Sequence, residues 1–170
     1  VKPAIAIEMF HNFTLLHDDI MDEAPLRRGV KTVHEKWDTN TAILSGDTML
    51  VQSYDLLMSV EDCYLREILD TFNTAAKQVC EGQQWDMDFE SRDDVSISEY
   101  LRMIEYKTSI LLAASLKIGA INGGATTEEA DHIYEFGRNM GIAFQLKDDL
   151  LDAFGDPVNF GKQVGGDIIA

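Results

Sequence analysis

His17-Asp18-Asp19-Ile20-Met21-Asp22, near one end of the chain, and Asp148-Asp149-Leu150-Leu151-Asp152, near the other, spell the same DDxxD pattern twice. Each copy follows an apolar run, Met9-Phe10 with Phe13 to Leu16 in the first case and Ile142 to Leu146 in the second. Apolar residues in both runs recur at spacings of three and four, so the acids emerge from core-facing helices. At about 100° per residue, Asp18 and Asp22 lie roughly 40° apart with Asp19 close by, and the second triplet repeats this crowding. Like charges at this spacing destabilise a helix by a few tenths of a kcal/mol, and near a helix C-terminus the dipole adds to the penalty. One such cluster reads as a solvated acidic face. Two, each rising from an apolar helix, point to bound divalent cations, and all-carboxylate ligands select hard ions, Mg²⁺ above all where phosphate oxygens share the metal.

Around these clusters the chain reads as helical. Only Pro3, Pro25 and Pro157 interrupt it. The apolar spacing predicts helices over about 4–23, 41–60 and 62–87, with a polar loop through 30–38. Ser96-Ile97-Ser98-Glu99 has the form of a capping box and opens a fourth helix that runs to about Ile121, where Asn122-Gly123-Gly124 ends it. Thr126 and Glu129 repeat the capping pattern at the start of a fifth, which reaches Phe154 before Gly155, Asp156 and Pro157 break it. No strand signal of any weight stands out.

The 170 residues suit one domain, and 45% hydrophobic content suffices for a packed core. With 14 basic and 30 acidic residues the net charge is −16, which opposes binding to nucleic acid or anionic lipid. An acidic protein that handles an anionic substrate needs cations to bridge the two. Cys63 and Cys80 are too few and too isolated for a disulfide framework or a zinc site and imply a reduced, cytoplasmic setting. No apolar run reaches the roughly 18 residues of a membrane span, and the first residues lack a signal-peptide pattern. The chain opens at Val1 without an initiator Met and stops soon after a glycine-rich turn, so a piece of a longer protein is the expectation.

Basic and polar residues complete an anion site. Arg27 and Arg28 follow the first cluster, and their planar forks suit phosphate. Lys107 falls on the apolar stripe of Ile104, Leu111, Ala114 and Ile118, where an ammonium calls for a buried partner. Gln145 shares the second acidic face, and Lys162 lies in the glycine-rich segment from Gly155 to Gly166.

Taken together, His-Asp-Asp-Ile-Met-Asp with Leu26-Arg27-Arg28-Gly29, and Phe144-Gln145-Leu146-Lys147 with Asp-Asp-Leu-Leu-Asp, resemble the trans-isoprenyl (polyprenyl) diphosphate synthases of the farnesyl and geranylgeranyl diphosphate synthase kind. Gly46-Asp47, Gly82-Gln83 and Lys107-Thr108 fall in that family's order, so nearly the whole chain is covered. The resemblance implies an all-α isoprenoid synthase fold, a bundle of long, mostly antiparallel helices around a central cavity, in a homodimer, with the acidic clusters facing across the mouth. It implies Mg²⁺, three ions with bound diphosphate, held mainly by Asp18, Asp22 and Asp148 and supported by Asp19, Asp149 and Asp152. It implies that Arg27, Lys107, Thr108, Gln145 and Lys162 hold an allylic diphosphate, while His11 and Arg28 help bind isopentenyl diphosphate. The reaction implied is head-to-tail condensation after metal-assisted ionisation, with no side-chain nucleophile, to an all-trans product of short or medium length.

Phe13 and Thr14 match the positions that limit product length, and they disagree. Bulky Phe13 favours a short or medium product, whereas small Thr14, about 40° from Asp18, leaves the cavity floor open. Members of the family are near twice this length, and their basic Gly-Lys-Arg motif would lie before Val1, so this stretch is expected to lack the first and last helices and to be weak or inactive alone. A class I terpene cyclase, whose second metal motif differs from Asp148 to Asp152, and a noncatalytic helical partner subunit are the competing readings.

Overall fold

A computed structural model describes residues 1–154. The residues gather into two compact units, Val1–Leu69 and a second that begins at Asp70.

In the first unit Pro3 sits in the opening turn of α1 (Lys2–Met21), where its missing N–H is no loss. The chain then makes a two-residue antiparallel ladder, β1 (Leu26–Arg27) against β2 (Val30–Lys31), followed by the short α2 (Val33–Lys36) and by α3 (Thr39–Leu57). The ladder corrects the reading of this stretch as plain loop. Its turn residues, Arg28 at φ 53° and Gly29 at φ 77°, both have left-handed backbone, the requirement of a tight two-residue hairpin. A non-glycine residue at the first of them hides that turn from a sequence scan. Asp38 caps α3 by accepting from the Thr41 amide. Ala6, Phe10, Phe13, Ala42 and Leu57 form the core between α1 and α3. The two helices approach closely at Gly46, where an added Cβ would lie 2.6 Å from the His17 ring.

The boundary between the units falls inside α4 (Asp62–Glu90). In the second unit Ser96 and Glu99 form the expected capping box at the start of α5 (Ile97–Ile104). The helix expected to run unbroken to about Ile121 instead widens into a π turn over Glu105–Ser109 before α6 (Ile110–Asn122). Two glycines on neighbouring helices explain the widening. At Gly82 of α4 a Cβ would collide with the Lys107 backbone, and at Gly141 of α7 (Thr127–Phe154) it would lie 2.6 Å from Ser109 Cα. The Ser109 hydroxyl also donates to the Arg138 carbonyl. These backbone approaches hold one extra residue in the turn, and apolar spacing alone does not reveal it. Ala75, Ile110 and Ala114 are buried here with Tyr106 and Tyr134 against them. Thr126 and Glu129 exchange the anticipated capping bonds at the start of α7. The predicted break at Gly155 to Pro157 lies outside the described residues.

Candidate active site

In the first unit α1 delivers Asp18 and Asp19 in its last turn, and Asp22 follows at the C-cap, its amide bonded to the Asp18 carbonyl at 2.9 Å. The three carboxylates differ in setting. Asp22 is exposed, Asp18 half-buried and Asp19 buried. The hairpin returns Arg27 over the helix end, where its Nε donates to Asp19 Oδ1 at 2.8 Å and a terminal nitrogen donates to Asp18 Oδ2 at 3.2 Å. Thr32 pins the hairpin's base by donating to the Ala24 carbonyl at 2.7 Å. One guanidinium thus offsets two carboxylates that the helix dipole disfavours. Burial nevertheless pushes the Asp19 carboxyl above its ordinary range, against the lowering effect of Arg27. Arg28 is exposed at the hairpin turn.

Earlier in α1, His11 is half-buried and its carbonyl accepts from the Thr14 hydroxyl at 2.8 Å. Phe13 belongs to the core. Its ring lies 5.6 Å from Phe10 and 4.7 Å from His17, whose Nε2 donates to the Ile43 carbonyl at 3.3 Å.

In the second unit the π turn carries Lys107 and Thr108. Lys107 Nζ donates to Asp86 of α4, a partner the sequence did not name; both side chains are partly exposed, where the apolar stripe had called for a buried partner. Thr108 donates to Gln145 Oε1 at 2.9 Å, and Gln145 Nε2 donates to Asp149 Oδ1 at 2.6 Å. Gln145 therefore serves Asp149, one turn ahead, rather than Asp148. The other oxygen of Asp149 accepts from the Tyr100 phenol. Asp148 is half-buried and Asp152 buried. Lys162 lies outside the described residues.

Sequence reasoning missed Asp86 and Tyr100. Each is a single polar residue on a mixed helix face, and only packing tells it from a solvated one. Among the described residues, no group of three or more His, Cys, Asp or Glu side chains is gathered closely enough to hold a metal ion. No helix among them is long and apolar enough to cross a membrane.

The polyprenyl synthetase family model matches residues 1–170. The chain belongs to that family. It is 47% identical over 168 residues to a geranylgeranyl diphosphate synthase of Methanosarcina mazei, covering 98% of this chain and 52% of that protein. The crystal structure of geranylgeranyl pyrophosphate synthetase from Pyrococcus horikoshii superposes with a TM-score of 0.93 at 42% identity, over 99% of this chain and 52% of the other. A polyprenyl synthase from Caulobacter crescentus, crystallised with calcium and isoprenyl diphosphate, superposes with a TM-score of 0.90 at 32% identity, over 98% and 50%. This polyprenyl synthetase chain has the family's all-α fold, and it spans about half the length of the curated relatives it matches.

Proposed function

We propose that the protein is a trans-prenyltransferase that condenses isopentenyl diphosphate with an allylic diphosphate, head to tail, to give a longer all-trans prenyl diphosphate of short or medium length. The observation that carries this reading is a pair of intact aspartate triplets in a polyprenyl synthetase chain. The Caulobacter relative, which binds calcium and an isoprenyl diphosphate, lends support.

The donor set fits Mg²⁺. All the acids offer hard oxygen, and Mg²⁺ takes one or two carboxylates and fills the rest of its shell with phosphate and water oxygens, so a gathered group of three is not required. Asp18, Asp22 and Asp148 would hold the ions, supported by Asp19, Asp149 and Asp152. When bound, the metal neutralises the charge that builds on the departing diphosphate.

Lys107, Thr108, Gln145, Arg27 and Lys162 bind the allylic diphosphate and keep it oriented for departure, while His11 and Arg28 hold isopentenyl diphosphate. Cleavage of the allylic C–O bond leaves a carbocation, and the terminal double bond of isopentenyl diphosphate attacks it. The proton then lost passes to the released diphosphate, so the chain's own residues bind, orient and neutralise without forming a covalent bond. Thr14 bounds the growing product, while Phe13 packs in the core. The working protein is a cytoplasmic homodimer in this reading.

The test is turnover by the complete protein with Mg²⁺, isopentenyl diphosphate and geranyl or farnesyl diphosphate. Elongated prenyl diphosphate is expected in step with pyrophosphate release. EDTA should abolish the reaction, and Asp18→Ala or Asp148→Ala should slow it roughly a hundredfold or more. Pyrophosphate release with a cyclised hydrocarbon, or no turnover of any allylic substrate, would overturn the proposal.

A further inference from the structure

Four side chains of the second unit, drawn from α5, the π turn and α7, form one line of hydrogen bonds: Tyr100 to Asp149, Gln145 to Asp149, and Thr108 to Gln145. The direction of every bond follows from the carboxylate. An ionised carboxylate only accepts, so the phenol must donate to it and Gln145 must turn its nitrogen toward it. The amide oxygen is then turned to Thr108, whose hydroxyl must donate. Asp149 thereby sets the polarity of the whole line, and both of its oxygens are engaged by protein donors.

We propose that Tyr100 and Asp149 are positioning residues for the allylic diphosphate subsite, and that Asp149 acts by orienting Gln145, whose second Nε2–H is left to donate, rather than by holding metal. This rests on the functional reading above, in which Gln145 binds the diphosphate. A phosphate oxygen is an acceptor, so an amide that flips presents oxygen to oxygen and loses its purchase. The carboxylate forbids that flip. The phenol holds the carboxylate in turn, from α5, the helix that leads into the wide turn. The three aspartates of the second triplet consequently divide their work, although the sequence repeats one letter.

Steady-state kinetics on the complete protein separate the two roles. Tyr100→Phe and Asp149→Asn are each expected to raise the KM for the allylic diphosphate about tenfold while changing kcat less than about threefold. Tyr100→Phe should leave the Mg²⁺ concentration for half-maximal activity unchanged, and Asp149→Asn should raise it much less than Asp148→Asn does. The double variant should be no worse than Asp149→Asn, because the two residues act in series. An Mg²⁺ requirement raised as far by Asp149→Asn as by Asp148→Asn would overturn the assignment, and so would an unmoved allylic KM in Tyr100→Phe. If Asp149→Asn does not fold, Tyr100→Phe decides alone, since it removes one oxygen from a half-buried ring. Wild-type protein that fails to elongate any allylic substrate would sink the functional reading itself; a working wild type with unmoved variants would sink only this inference.

Discussion

Lys107 and Asp86, twenty-one residues apart in sequence, are joined by a hydrogen-bonded ion pair between the π turn and α4. Each side chain is 30% exposed, so the pair is neither dry nor freely solvated. Its stability value is therefore small, and under the proposed function its role is to aim the ammonium. Asp86→Asn is expected to lower kcat/KM for the allylic substrate roughly tenfold, about 1.4 kcal/mol of transition-state binding. Thermal denaturation alongside should show a shift of only a few degrees.

Close approach makes opposite predictions for two glycines. Gly137→Ala places a methyl 2.8 Å from Ala113 Cα, backbone that cannot yield, and should destabilise by about 1–3 kcal/mol. Gly119→Ala in α6 meets nothing within 4 Å and should stabilise by about 0.5–1 kcal/mol through helix propensity. Urea denaturation of the two variants measures both signs.

Arg27 balances a buried charge. Removing it by Arg27→Ala leaves Asp19 buried without that partner, a loss of about 1–3 kcal/mol. Asp19→Asn in the same background should recover part of the loss, since the uncompensated charge goes with it. A thermal double-mutant cycle checks the sign.

Acid loosens the start of α5. Hydrogen bonds from Ser96, with a further one from Arg92, hold Glu99 down to about 2, against an ordinary value of 4.5. A lowered carboxylate contributes its stability above the unfolded value, and the contribution fades as pH falls from about 4.5 to about 2. Glu99→Gln should lower the Tm at neutral pH and show a shallower decline across that acid window. Equal slopes in the two proteins would refute the prediction.

Phe13 belongs to the core, whereas Thr14 beside it is only half-buried. Phe13 is 9% exposed and sits among Phe10, His17 and the close approach at Gly46. Phe13→Ala should therefore cost about 3–5 kcal/mol of stability and leave the product distribution close to wild type. Thr14→Phe should shorten the product, as chromatography of the dephosphorylated prenols would reveal.

Much of the fold was legible in the residues themselves. Apolar spacing, the Ser96–Glu99 and Thr126–Glu129 caps and the glycines after Asn122 mark helices by local chemistry, which acts over three or four residues and is written in order along the chain. The paired aspartate triplets were legible for the same reason. The π turn, the hairpin that carries Arg27, and the partners Asp86 and Tyr100 were not. Each depends on contacts between segments distant in sequence: Gly82 and Gly141 permit backbone approach, and Asp86 and Tyr100 gain meaning only from the side chain that meets them. Composition and periodicity made this chain helical and acidic at two points. Packing alone sorted identical aspartates into buried, bridged and exposed ones, because burial and hydrogen-bond direction are properties of neighbours in space.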